Sequence, residues 1–96
     1  MILHTVKQSP HSDLSLSQAL AKMGPQDVLL LLENAVLAIA GQHPWESELA
    51  ALAKQGRLYL IKADLDARGI TAGYGHVIDY PDFVELVVEA DTSLAW

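Results

Sequence analysis

The sequence predicts an α/β fold, a three-layer α/β/α sandwich built on a mainly parallel sheet of four to five strands. The first observation is the run Val28 to Leu32, five consecutive large apolar residues without a polar face. Such a run is typical of a central strand covered on both sides, the usual setting of parallel strands. The second observation is the alternation of short strand-like and helical segments, which favours strand–helix–strand units. We expect residues 1–96 to form one domain.

The first half of the chain is predicted to contain two strands and two helices. The opening segment is rich in strand formers, and the next shows apolar residues at i, i+3, i+4 and i+7. Asp13 or Ser12 can cap that helix, and Gly24-Pro25 ends it. A single buried helix from Asp27 to Ala40 is an alternative interpretation of the apolar run. The predicted elements are the strand Met1–Lys7, the helix Leu14–Met23, the strand Val28–Leu32 and the short helix Ala35–Ala40.

The second half is predicted to add two strands, three helices and a docked tail. Pro81 suits the first turn of the last helix, with Asp79 or Tyr80 as its cap. The inward stripe of that helix is predicted to be Phe83, Val84, Val87 and Val88. The predicted elements are the helix Glu46–Gln55, the strand Arg57–Ala63, the one-turn helix Asp64–Gly69 with an aspartate cap at its start and a glycine stop at its end, the strand His76–Asp79, the helix Asp82–Ala90 and the tail Thr92–Trp96, a candidate fifth edge strand.

Composition excludes several classes of function. Twelve acidic against six basic residues give a net charge of −6, which argues against direct binding of a nucleic-acid backbone. The chain has no cysteine, so it forms no disulfide, no thiolate metal site and no sulfur nucleophile. No apolar run reaches the roughly 18 residues of a membrane span, and no signal peptide is visible, so we expect a cytoplasmic protein.

The sequence contains no strong catalytic, cofactor or metal motif. None of the four histidines pair at i, i+3 or i, i+4, and Gly73-Tyr74-Gly75 follows no strand, so it more simply predicts a turn. A lone histidine in a strand, such as His4, is typical of a hydrogen-bonded packing residue. We therefore expect no catalytic residue, cofactor or metal. Two alternatives stay open: a flavodoxin-like domain binding a ligand at Gln8–Asp13 and Asn34, and a hydrolase using His11 with Asp13.

Three aromatic residues are candidate interface positions: Trp45, Tyr80 and Trp96. An apolar content of 51% is high for so small a domain, and such chains often bury surface against other subunits. An isolated chain can therefore be expected to form homo-oligomers. Trp45, at the start of a helix, serves either as a cover on the local core or as a subunit contact. Trp96 is expected to be docked, because an unheld terminal tryptophan exposes a large apolar surface.

Five stretches together resemble the TusB/DsrH family of small DsrE-like proteins. They span nearly the whole chain in matching order and length. These stretches are ILHTVKQSP at the start, VLLLLENAVLAIAG, ADLDARGI, VIDYPDFVELVVE and the terminal tryptophan of SLAW. The resemblance implies a DsrE/DsrF/DsrH-like α/β/α fold.

The resemblance also implies a function and partners. It implies a subunit of a heterohexamer with TusC-like and TusD-like chains, which relays persulfide sulfur towards 2-thiolation of the tRNA wobble uridine. In the family, the sulfur-carrying cysteine of this complex belongs to the TusD-like chain. Relatives of the DsrH type that act in sulfur oxidation can carry a cysteine in the helix after the first strand. The matching stretch here, Leu14 to Met23, has none, which favours the tRNA-thiolation branch and a non-catalytic role.

Overall fold

A computed structural model describes residues 1–96 and has five strands and four α-helices. The strands are β1 Ile2–Val6, β2 Val28–Leu31, β3 Leu58–Ile61, β4 His76–Ile78 and β5 Thr92–Ala95. The helices are α1 Ser15–Lys22, α2 Glu46–Lys54, α3 Lys62–Ala67 and α4 Tyr80–Glu89, with a 3₁₀ helix at Glu33–Ile39. No helix is long and apolar enough to span a bilayer.

All five strands run parallel in a single sheet of order β4-β3-β2-β1-β5. The α/β fold predicted from the sequence is confirmed, and β2 is its central strand. Leu30 lies between Thr5 of β1 and Tyr59 of β3, and it is fully buried, as is its neighbour Leu31. The alternative of one helix from Asp27 to Ala40 is wrong.

The chain turns sharply between the end of β2 and the 3₁₀ helix that follows it. Leu32 keeps extended backbone angles, and Glu33 then takes a positive φ of 51°, which turns the chain into the 3₁₀ helix. Glu33 and Asn34 are accordingly the first two residues of that 3₁₀ helix. The short helix predicted at Ala35–Ala40 is present at nearly that position, but it is a 3₁₀ helix.

The two faces of the sheet are covered unequally. One face carries Leu29, Leu31 and Leu60, and it packs against α1, the 3₁₀ helix, α2 and α3 in a core of 13 buried residues. The opposite face carries Leu30 and Ile61 within a core of six buried residues. Only α4 supplies helical side chains to that second face.

The predicted inward stripe of α4 is wrong in three of its four residues. Phe83 packs against the sheet as expected, but the other inward residues are Leu86 and, just after the helix, Ala90. Val84, Val87 and Val88 are exposed, by 60%, 42% and 79% of their surface. Both sets satisfy helical spacing, because α4 is apolar on two sides, and periodicity alone does not choose between them.

Smaller differences concern helix ends and the tail. α3 begins at Lys62 rather than Asp64, so Asp64 lies inside the first turn instead of capping it. The predicted glycine stop is confirmed by Gly69, whose φ is +64°. Asp79 caps α4 by accepting the Asp82 N–H at 2.9 Å. The tail forms β5 beside β1, as predicted.

Replacing Leu30 by alanine is expected to destabilise the protein by roughly 2–5 kcal/mol, since it leaves a cavity in the central strand. The free energy of unfolding from urea titration measures the effect. Val88→Ala is the matched control, because Val88 is 79% exposed, and it should cost less than about 0.5 kcal/mol. Equal losses in both variants would contradict the burial described above.

Candidate functional site

A polar network joins the carboxyl ends of β2, β3 and β4. The Asp64 carboxylate in α3 accepts the Glu33 N–H at 2.8 Å and the Tyr80 hydroxyl at 3.1 Å. The hydrogen bond to Glu33 holds the chain just where its φ is positive. Burial, followed by the bond to Asp64, raises the pKa of Tyr80 above its ordinary value. The three residues come together because their strands are neighbours in the sheet.

Arg68 closes this network from the other end of α3. Its guanidinium donates to Asn34 Oδ1 through Nε at 3.2 Å and Nη2 at 2.8 Å, and to the Asp64 carbonyl at 3.0 Å. The side chain of Asn34, proposed above as a ligand contact, is thus engaged with Arg68. The network connects the 3₁₀ helix to α3, and its polar groups pair with one another.

The loop Gln8–Asp13 does not form a His–Asp pair. Asp13 Oδ1 accepts the Ser15 N–H at 2.8 Å at the start of α1. His11 is exposed, and its ring lies against Gly41 and edge-on to His43, with ring centroids 6.1 Å apart. No hydrogen bond joins His11 to Asp13, so the structure does not assemble the hydrolase pair.

Two surface cavities are present, and neither involves the loop Gln8–Asp13 or Asn34. One, of about 220 Å³, lies between α4 and the edge strand β4. The other, of about 290 Å³, lies between the end of α1 and α2, beside Arg57. No group of three histidine or acidic side chains is placed to hold a metal ion. The geometry therefore offers no support for the flavodoxin-like alternative.

The deepest polar cluster is a chain of three side chains: Asp27, His4 and Trp96. His4 is 1% exposed, and its Nε2 lies 3.0 Å from Asp27 Oδ2. The Trp96 indole donates from Nε1 to His4 Nδ1 at 3.0 Å, and the planes of the two rings are inclined by 20°. An indole N–H only donates, so Nδ1 accepts and the proton of a neutral imidazole lies on Nε2.

Asp27 is the ionised end of this cluster. Burial favours the protonated carboxyl, but hydrogen bonds from the Gly24 N–H, His4 and the Ile2 N–H outweigh it and lower the pKa of Asp27 to about 2. The cluster places a carboxylate and an imidazole in line, as hydrolases do. The third member is an indole, however, which is no nucleophile, so the cluster ties strands together rather than performing chemistry.

The prediction that His4 is a hydrogen-bonded packing residue is confirmed. The contribution of Asp27 was missed, because the sequence presents it only as the residue that opens β2. Asp27 and His4 are 23 residues apart, and His4 and Trp96 are 92 apart. A buried carboxylate beside a strand histidine follows from the pairing of β1 with β2, which no local pattern reveals.

The three candidate interface residues occupy different surroundings. Trp45 and Trp96 are partly buried and pack against the larger core. The Trp45 ring also stacks on His43, at 6.0 Å between centroids. Tyr80 is 44% exposed at the start of α4, with its hydroxyl on Asp64.

The lowered pKa of Asp27 predicts a specific loss of stability in acid. A carboxyl whose pKa falls from 3.8 to about 2 on folding stabilises the protein fully above about pH 4, and this contribution, about 2 kcal/mol, disappears as the pH falls to 2. In Asp27→Asn, the free energy of unfolding from urea titration should be lower at pH 6 and should lack this acid-dependent part. Asp66→Asn, at an exposed ion pair with Lys62, is the control and should cost less than about 1 kcal/mol. An Asp27→Asn curve parallel to that of the wild type would contradict the assignment.

The tail is predicted to be structural. Deleting residues 93–96 removes most of β5 and the Trp96 ring, whose burial contributes on the order of 2–3 kcal/mol. The melting temperature should fall accordingly. Trp96→Phe keeps a ring but leaves His4 Nδ1 without its donor, and it should cost about 1 kcal/mol. Unchanged melting of the truncated chain would show that β5 contributes nothing.

Comparison with known proteins gives a consistent result. A family model described as DsrH like protein matches residues 8–93. Protein TusB of Erwinia tasmaniensis is 38% identical over 99% of this chain and 100% of its own length. Proteins of the same name from Pectobacterium parmentieri and Escherichia coli (strain K12) are 37% and 35% identical over the same shares. With a five-stranded parallel sheet, full-length similarity and a matching family model, this chain belongs to the DsrH-like family.

Proposed function

We propose that residues 1–96 form a single DsrH-like domain that acts as a non-catalytic structural subunit of a TusBCD-type sulfurtransferase complex. In this proposal the complex relays persulfide sulfur in the cytoplasm for 2-thiolation of the tRNA wobble uridine. The observation that carries the proposal is a DsrH-like chain without a cysteine. Full-length relatives named Protein TusB support placing it in that complex.

The chemistry of a persulfide relay explains why such a subunit would be non-catalytic. Sulfur moves when a thiolate attacks a sulfane sulfur, and neither an imidazole nor a hydroxyl substitutes for the thiolate in that step. This chain has no thiol, and the polar groups at the carboxyl end of its sheet are engaged with one another. The reactive cysteine would therefore lie in another subunit, the TusD-like chain.

The proposed partners are TusC-like and TusD-like subunits in a heterohexamer. The net charge of −6 supports an arrangement in which this chain does not itself hold the tRNA. Trp45, Tyr80 and Trp96 remain candidate contacts. Of these, Tyr80 has the most exposed ring, whereas the two tryptophans pack on the larger core and would present their remaining edges.

Sulfur transfer in the reconstituted complex tests the division of labour. We expect radiolabelled persulfide sulfur to reach the TusD-like chain and leave this chain without covalent label. The variants His11→Ala, His43→Ala and His76→Ala should retain transfer within about threefold, since surface substitutions outside a reacting site have small effects. A cysteine-to-serine change in the TusD-like chain is the control that abolishes transfer.

The same test can fail in two clear ways. Covalent labelling of this chain contradicts the non-catalytic assignment. Loss of transfer in a histidine variant whose complex stays intact by native mass spectrometry contradicts it as well. In cells, deletion of the gene should remove 2-thiouridine from the tRNA, and the triple histidine variant should restore it.

A further inference from the structure

Helix α4 is apolar, yet none of its residues is buried. Of its ten residues, six are aromatic or large and aliphatic. Each of the other three α-helices contributes at least one buried residue to the core. Phe83 and Leu86 of α4 contact the sheet, but only as partly buried side chains. The helix that alone covers the second face of the sheet therefore leaves much of its apolar surface in contact with solvent.

The exposed apolar side chains of α4 form one continuous stripe. Tyr80, Val84, Val87 and Val88 follow each other at i, i+4, i+7 and i+8, so they lie on one side of the helix. Their exposed fractions are 44%, 60%, 42% and 79%. The other exposed large apolar residues, Leu14, Val77 and Leu94, are separate residues outside α4. This stripe, residues 80, 84, 87 and 88, is termed the α4 stripe.

Two acidic side chains lie beside the α4 stripe, because Glu85 precedes Val88 by three residues and Glu89 follows it directly. Asp82, Glu85 and Glu89 line the groove of about 220 Å³ between α4 and the edge strand β4, and none of them has a cationic partner. Residues 69–96 contain five of the twelve acidic residues and neither lysine nor arginine. An apolar surface beside uncompensated carboxylates is complementary to a partner that is apolar and bordered by basic groups.

We propose that the α4 stripe docks onto a protein subunit whose apolar groove is bordered by lysine or arginine. This inference rests on the proposed function, since that partner is the TusC-like or TusD-like chain. A second copy of this chain fits poorly, because two α4 stripes facing each other would bring the unpaired carboxylates of Glu85 and Glu89 from both copies close together. Nucleic acid and anionic lipid are likewise repelled by Asp82, Glu85 and Glu89.

The test measures binding of the purified chain to a purified complex of the TusC-like and TusD-like subunits by calorimetry. Val84→Asp/Val88→Asp should weaken binding at least about tenfold, because it places two charges in an apolar contact. Leu14→Asp is the matched control: Leu14 is 65% exposed and lies before α1, and its binding should stay within about twofold. Melting temperatures of both variants should stay within about 3 °C of the wild type.

A second variant tests the charges. Glu85→Lys/Glu89→Lys should weaken binding about threefold or more at roughly 0.05 M salt, and the difference should shrink at about 0.5 M salt, where charges are screened. Should Val84→Asp/Val88→Asp unfold, Val84→Ser/Val88→Ser takes its place and should also lose affinity.

The outcomes separate the two proposals. If the wild type binds and Val84→Asp/Val88→Asp binds equally well, the α4 proposal is overturned, whereas the proposed function still stands. Absence of binding by the wild type refutes the proposed function, and the α4 proposal falls with it. If sedimentation shows that the wild type is a homodimer and the double variant a monomer, the choice of partner is overturned. The α4 stripe then binds a second copy of this chain.

Discussion

Strand β2 is apolar on both faces, and this constraint determines the arrangement of the rest of the chain. Leu29 and Leu31 point to one side and Leu30 to the other, and all three are fully buried. A strand of this kind is stable only when both faces are covered. The first face receives four helical segments in succession from the first two thirds of the chain. The second face has to be covered by what remains, which is α4 and the chain ends.

The cover of the second face depends on how the chain ends are held. Between β4 and β5 the chain passes from one edge of the sheet to the other, and α4 is the only helix in that connection. β5 is held beside β1 by the Trp96 N–H bond to the Thr5 carbonyl, at 2.9 Å. The indole bond to His4, itself fixed by Asp27, adds a side-chain connection across β5, β1 and the start of β2. The cluster thus connects the end of the chain to its centre, and in this way fixes the far end of the connection that contains α4.

Local patterns were sufficient to predict elements, whereas pairings between distant residues were not predictable. The strand at Val28, the glycine stop at Gly69 and the Asp79 cap all follow from neighbouring residues, and the structure has them. The strand order and the Asp27–His4 bond depend on which strands meet, and the sequence contains no local trace of that. The prediction of which side of α4 faces the sheet was wrong for a different reason. Phe83 with Leu86 and Phe83 with Val87 both fit a helical period, and only the position of the sheet decides between them.

The wrong prediction for α4 has a physical cause that bears on the function of this helix. A helix with a single apolar side would have been assigned correctly, because periodicity then allows one orientation. α4 has a second apolar side, and inside this chain nothing is left to cover it. The polar residues of the sheet's carboxyl end are paired among themselves, and the buried imidazole and carboxylate end at an indole. What α4 presents outward without a partner is therefore an apolar stripe with Glu85 and Glu89 beside it. In the proposed complex, this stripe is the surface by which a chain without a thiol docks onto a TusC-like or TusD-like subunit.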